Sequence, residues 1–154
     1  MDPLLDRLSP GMLCVPYVGA RYPGSRAVAE TPGVERGANC QLFAYAVLAH
    51  FGLSVPPLRS SELWTDTAST VRVRAAGPLD LLLFNATDDP YGAHVGVRLH
   101  EDRVLHLCAE AGRPAVWPLA EFARRERYRV LLGAKRALLR IDGSPYVVPA
   151  PPGT

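Results

Sequence analysis

What is scarce in this sequence narrows it first. Only three cysteines occur among 154 residues, at positions 14, 40 and 108. No two are close enough for a Cys-x-x-Cys pair, so a disulfide framework does not fit and reduced thiols are expected. No apolar run approaches the roughly 20 residues a bilayer span needs. The start, "MDPLLDRLSPGMLCVPY", has no basic stretch followed by an apolar core, so no signal peptide is read. A cytoplasmic location is expected on that basis, with export by a non-standard route as the alternative. Charge of one sign is missing too. Seventeen Lys and Arg against 15 Asp and Glu leave +2, too little to call for nucleic acid or a membrane as partner. The one basic cluster, "RRERYR" at 124–129, is broken by Glu126 and reads as a solvated face. No internal repeat is present.

What remains is an ordinary globular composition, 48% hydrophobic and 21% charged, of a length that suits one domain. Residues 1–36 are rich in Gly and Pro and read as loops after a short helix near Pro3 to Leu8. Apolar residues recur at helical spacing from Cys40 to Phe51, and Gly52 ends that helix. "SSELW" at 60–64 starts another. After Thr70 the pattern changes to period two or short apolar runs. Strands are expected over 71–75, 79–85, 94–99, 104–108 and 128–132, with a weaker one over 135–141. "HEDR" at 100–103 is a hairpin turn, and "PLAEFARR" at 118–125 opens a helix with Pro. Helices first and antiparallel strands afterwards predict an α+β domain over 1–142, followed by an extended Pro-rich tail over 143–154.

The chemistry concentrates at "GANCQLFAYAVLAHFG", 37–52. Asn39 is a good N-cap, which puts Cys40 in the first helical turn. Unpaired N–H groups there favour the thiolate and can hold an oxyanion. A thiol nucleophile also wants a general base and a group to orient it. His50 lies almost three turns away and His100 in a turn, where it is expected to be solvated. His94 and His106 sit on strands among apolar neighbours, and the turn at 100–103 brings those strands side by side. Gly96, next to His94 on its face, leaves room for a substrate or a second ring. Cys14 and Cys108 read as packing thiols, Asp80 as a turn cap, and Trp64 and Trp117 as packing residues, the latter near enough to reach a cleft rim.

In order along the chain, "VPYVGARYPGS", "NCQLFAYAVL", "AGPLDLLLF", "AHVGVRL", "RVLHL" and "LLGAKRAL" resemble the NlpC family of papain-like cysteine peptidases. The resemblance spans about residues 12–136. Members of that family mostly cut the stem peptides of bacterial peptidoglycan. The resemblance implies a papain-like fold in which the nucleophile helix packs on an antiparallel sheet. It also implies Cys40 as nucleophile, His94 as base, His106 as the group that orients it, and Tyr17 near the oxyanion. Asn39 and Gln41 would stand at substrate-binding positions. No metal or organic cofactor is implied, and the partner is a peptide or small amide substrate.

The departures bear on substrate. The family's Asp-Cys-Ser-Gly is replaced by Asn39, Cys40, Gln41 and Leu42, which removes an acidic group able to pair with a peptide's free amine. Catalysis can survive that change while substrate choice shifts. Three other readings stand beside peptidoglycan cleavage. One is an amidase or acyl transferase on a small molecule or peptide, and another is a non-catalytic peptide-binding module. The third is a zinc site formed by Cys40, His94, His106 and Cys108, which lacks the usual close ligand pairs.

Overall fold

Where the chain can pair its backbone is set by where it alternates. The computed structural model describes residues 2–148. It begins with α1 (Pro3–Asp6), a single 3-10 turn at Met12–Cys14, α2 (Arg26–Glu30) and α3 (Cys40–His50), followed by β1 (Leu53–Ser54) and α4 (Ser60–Thr65). The strands β2 (Thr70–Val73), β3 (Leu81–Asn85), β4 (His94–Arg98), β5 (Arg103–Leu107) and β6 (Pro114–Pro118) come next. Then follow α5 (Leu119–Ala123), a 3-10 turn at Glu126–Tyr128, β7 (Val130–Ala137) and β8 (Leu139–Arg140). The main sheet runs β2-β7-β3-β4-β5-β6 with every neighbour antiparallel, and β1 pairs with β8 alone. The expected α+β class is what is observed.

Period-two alternation along β3 explains why both sheet faces are buried. Leu81 and Leu83 join Val95, Val97, Leu105 and Leu107 against Phe43, Val47 and Leu48 of α3. Leu82 and Phe84 point the other way, with Val104, Phe122 and Tyr128. The Phe84 and Phe122 rings stack 4.1 Å apart, which fastens α5 over that second face.

The strands depart from expectation in two places. β6 was not anticipated, because proline at both ends masks it. It pairs only with β5 at the sheet edge, where a missing N–H is tolerated. The separate strands expected at 128–132 and 135–141 are instead the continuous β7 and the short β8. Gly133 lets β7 run through. Its φ is +153°, and a Cβ there would sit 2.9 Å from the Trp64 ring. The pairing with β3 shifts there: Leu83 faces Gly133 and Phe84 faces Leu131, so Leu132 of β7 is the extra residue of a bulge.

The hairpin turn at 100–103 forms as expected, with Glu101 and Asp102 at φ +56° and +58°. His100 is not simply solvated: its backbone N–H donates to Asp2 at 2.7 Å and its Nδ1 lies 3.1 Å from the same carboxylate. Of the tail, residues 143–148 are described and 149–154 lie outside the described residues. Tyr146 packs on the core, and its N–H donates to the Leu138 carbonyl at 2.8 Å. No helix among the described residues is long and apolar enough to cross a membrane.

Candidate active site

Cys40 is placed by the chain before it. Asn39 is extended, and its Oδ1 accepts the Leu42 N–H at 2.9 Å, which fixes the first turn of α3. The Asn39 N–H donates to the Arg21 carbonyl at 2.8 Å. The Arg21 guanidinium is buried and donates to four carbonyls: Gly37, Thr31 and Gly33 at 2.8 Å, and Ala27 at 3.2 Å. One side chain thus organises the loop that leads into Cys40, and nothing in the sequence pattern signals it.

His94 and His106 project from the sheet face opposite α3. His94 Nε2 lies 2.9 Å from His106 Nδ1, with the rings near perpendicular. The close approach depends on Gly96. A Cβ there would sit 2.5 Å from Val104 Cγ1 and 3.3 Å from the His106 Cβ. The room beside Gly96 is taken by the Val104 side chain and the His106 Cβ. Around the pair stand Tyr128, 4.7 Å from the His94 ring, and Trp117 and Phe122, 4.2 and 4.7 Å from the His106 ring. His106 Nε2 is buried with no hydrogen-bond partner. Trp117 therefore backs His106 and does not reach the cleft rim.

Burial dominates the electrostatics. It holds His94 well below the usual histidine range, helped by His106 and then Arg127, and brings His106 down to about 3, helped by Arg125. Burial also pushes the Cys40 thiol up, against the pull of N–H groups from Val95, Gln41 and Cys40 itself. The expectation of a lowered thiol pKa at the helix start is therefore reversed: desolvation outweighs the terminal N–H groups. Burial thus disfavours the charged form of all three side chains.

Cys40 and His94 line one cleft of about 410 Å3 together with Tyr17, Asn85, Cys108, Arg127 and Tyr128. Tyr17 is held there by Ala38, which accepts the Val18 N–H at 2.9 Å. His106 stands behind His94. Asn39 and Gln41, expected at substrate-binding positions, are not among the lining residues. Asn39 is spent on the cap, and Gln41 Nε2 donates to the Leu58 carbonyl at 3.1 Å, where Tyr45 also donates. Their sequence position beside Cys40 suggested otherwise, but helical rotation turns Gln41 away. Arg127 and Tyr128 were missed because "RRERYR" reads as a surface run. Only the Tyr within it hinted at an apolar side. Cys108 is buried as expected of a packing thiol, yet also borders the cleft. Asp80 caps the Gly77 N–H at 2.7 Å and also pairs with Arg136 through both carboxylate oxygens. Among the described residues no three His, Cys, Asp or Glu side chains gather as metal ligands.

This arrangement of helix and antiparallel sheet is the papain-like fold. Structures with the same fold are NlpC/P60 proteins. They include a NlpC/P60 family protein from Bacillus cereus ATCC 10987, 19% identical with a TM-score of 0.58 over 90% of this chain. The peptidoglycan hydrolase RipB from Mycobacterium tuberculosis is 19% identical with a TM-score of 0.52 over 86% of this chain and 61% of its own. The NlpC/p60 domain of the peptidoglycan hydrolase SagA is 19% identical with a TM-score of 0.50 over 78% of this chain and 90% of its own. This chain spans 41% of the Bacillus cereus protein. No family model and no curated protein matches the sequence. The chain has the NlpC-like, papain-like fold.

Proposed function

We propose that the protein is a thiol-dependent amide hydrolase in which Cys40 attacks, His94 moves the proton and His106 orients His94. The observation that carries this reading is the 2.9 Å contact from His94 Nε2 to His106 Nδ1, beside a cleft that Cys40 also lines. A hydrogen on His106 Nε2, next to the Trp117 and Phe122 rings, is better tolerated than a bare lone pair there. That leaves His106 Nδ1 to accept from His94 Nε2, and His94 Nδ1 free as the base.

In the reaction, the Cys40 sulfur bonds to the amide carbonyl carbon as its proton passes to His94. N–H groups at the start of α3, with Tyr17, stabilise the oxyanion. The C–N bond breaks, His94 returns the proton to the leaving amine, and water resolves the thioester. Because the resting pair is neutral, proton transfer accompanies attack.

Peptidoglycan stem peptides are the first substrate class to try, since RipB and SagA, which share the fold, are peptidoglycan hydrolases. An amidase or acyl transferase on another amide is favoured by one observation: Asn39 and Gln41 present no group to a peptide amine. The test is digestion of purified peptidoglycan and a panel of peptide amides, read by mass spectrometry. Cys40→Ala should abolish turnover, His94→Ala should cost more than His106→Ala, and full activity in Cys40→Ala would sink the mechanism.

A further inference from the structure

The cleft beside Cys40 is charged with one sign. Among its described lining residues Arg127 alone carries a permanent charge, and no Asp or Glu lines it. The nearest carboxylate to Arg127, on Glu110, is 3.5 Å away and already receives Arg125 at 2.6 Å. Arg127 keeps most of its side chain exposed, 69%, and its pairing with Glu110 runs through Nη1, so Nε and Nη2 remain to meet a ligand. The next residue, Tyr128, places its ring 4.7 Å from that of His94. Among the described residues its hydroxyl has no hydrogen-bond partner, and burial keeps the phenol protonated. A guanidinium and a free phenolic O–H beside a neutral base form a donor set for a carboxylate.

We propose that the cleft selects amide substrates carrying a carboxylate close to the scissile bond, held by Arg127 with Tyr128, over their neutral counterparts. This rests on the thiol-hydrolase reading. It also couples recognition to chemistry. Arg127 is one of the groups that hold down the basicity of His94, and a bound carboxylate offsets that charge. The correct substrate thereby strengthens the base that acts on it.

The test uses matched alkylating pairs of two lengths on the whole protein: iodoacetate with iodoacetamide, and N-iodoacetylglycine with N-iodoacetylglycinamide. Labelling is followed site by site by mass spectrometry at about pH 9, where a raised thiol still ionises measurably. Cys14, exposed and not the packing thiol expected from the sequence, is the internal reference. In at least one pair Cys40 should favour the carboxylate reagent by about tenfold or more relative to Cys14. Arg127→Gln should bring that preference to within about twofold of the reference, while Arg127→Lys keeps part of it. Arg26→Gln, at an exposed site paired only with Glu30, should leave it intact. No preference in either pair, or a preference that survives Arg127→Gln, overturns the proposal. A Cys40 that takes none of the reagents after Cys14 is fully modified overturns the thiol reading instead.

Discussion

At the scale of single residues, the site removes water from groups that can carry charge. Cys40 at a helix start and a buried pair of histidines pull in opposite directions, and burial prevails at each of them. Alkylation by iodoacetamide should show this directly. Between about pH 6 and 8 the exposed Cys14 should react faster than Cys40, whose rate should climb only above the ordinary thiol value of about 8.5. Rapid labelling of Cys40 near pH 6 would instead reveal a thiolate already paired with a protonated His94. The residues themselves were legible: an Asn-Cys at the head of an apolar helix and two histidines on paired strands suggested this chemistry. Their protonation was not, because desolvation depends on Tyr128, Phe122 and Trp117, which are distant in the chain from Cys40.

Among the elements, α3 is held at its start by a loop with little regular structure, so Arg21 matters more than any helix contact there. Replacing it with Ala would strand the carbonyls of Ala27, Thr31, Gly33 and Gly37. The expected loss is about 3 kcal/mol or more in a denaturant titration. Lys should recover only a fraction, since one ammonium cannot fan out to four separated oxygens. A loss below about 1 kcal/mol would mean the loop holds itself together. The elements with strong periodicity, α3, β3, β4 and β5, were readable from sequence. Those that were missed share a cause. β6 is bounded by prolines, α2 has five residues and β1 has two, so each exists through its neighbours and not through its own pattern. β7 looked like two pieces because Gly133 interrupts its alternation, although the sheet does not.

For the whole molecule, the two neutral histidines make stability a function of pH. The unfolded chain takes up protons on both below its ordinary histidine value of 6.5, and the folded chain resists doing so. Their contribution to stability is therefore present above pH 6.5 and is lost progressively as pH falls, with His106 titrating in the fold only at about 3. Each histidine contributes a slope of up to about 1.4 kcal/mol per pH unit in that window. His106→Gln should flatten the decline between about pH 6 and 4 by as much as one such slope, measured by denaturation at each pH. An unchanged slope would show that the pair does not set the acid limit. Asp2 and Asp66 add to the loss only lower down. Burial raises their pKa, but hydrogen bonds outweigh it and leave both below 3.8.

The strand order has a consequence for how the protein is made. β7 lies between β2 and β3, and the Asp80–Arg136 ion pair crosses the same seam. On a ribosome, β2 and β3 emerge first and wait, β3 with one edge bare and β2 with no partner strand in the main sheet, until residues 130–137 are synthesised. Arg127 and Tyr128 arrive just ahead of that strand. The wall of the cleft and the strand that closes the sheet are thus delivered together, after the other five strands of the main sheet. Pairing across so long a stretch of chain is slow. A chain that stops short of residue 127 therefore holds α3 with Cys40 and the β4–β5 hairpin with both histidines, but no closed sheet and no complete pocket.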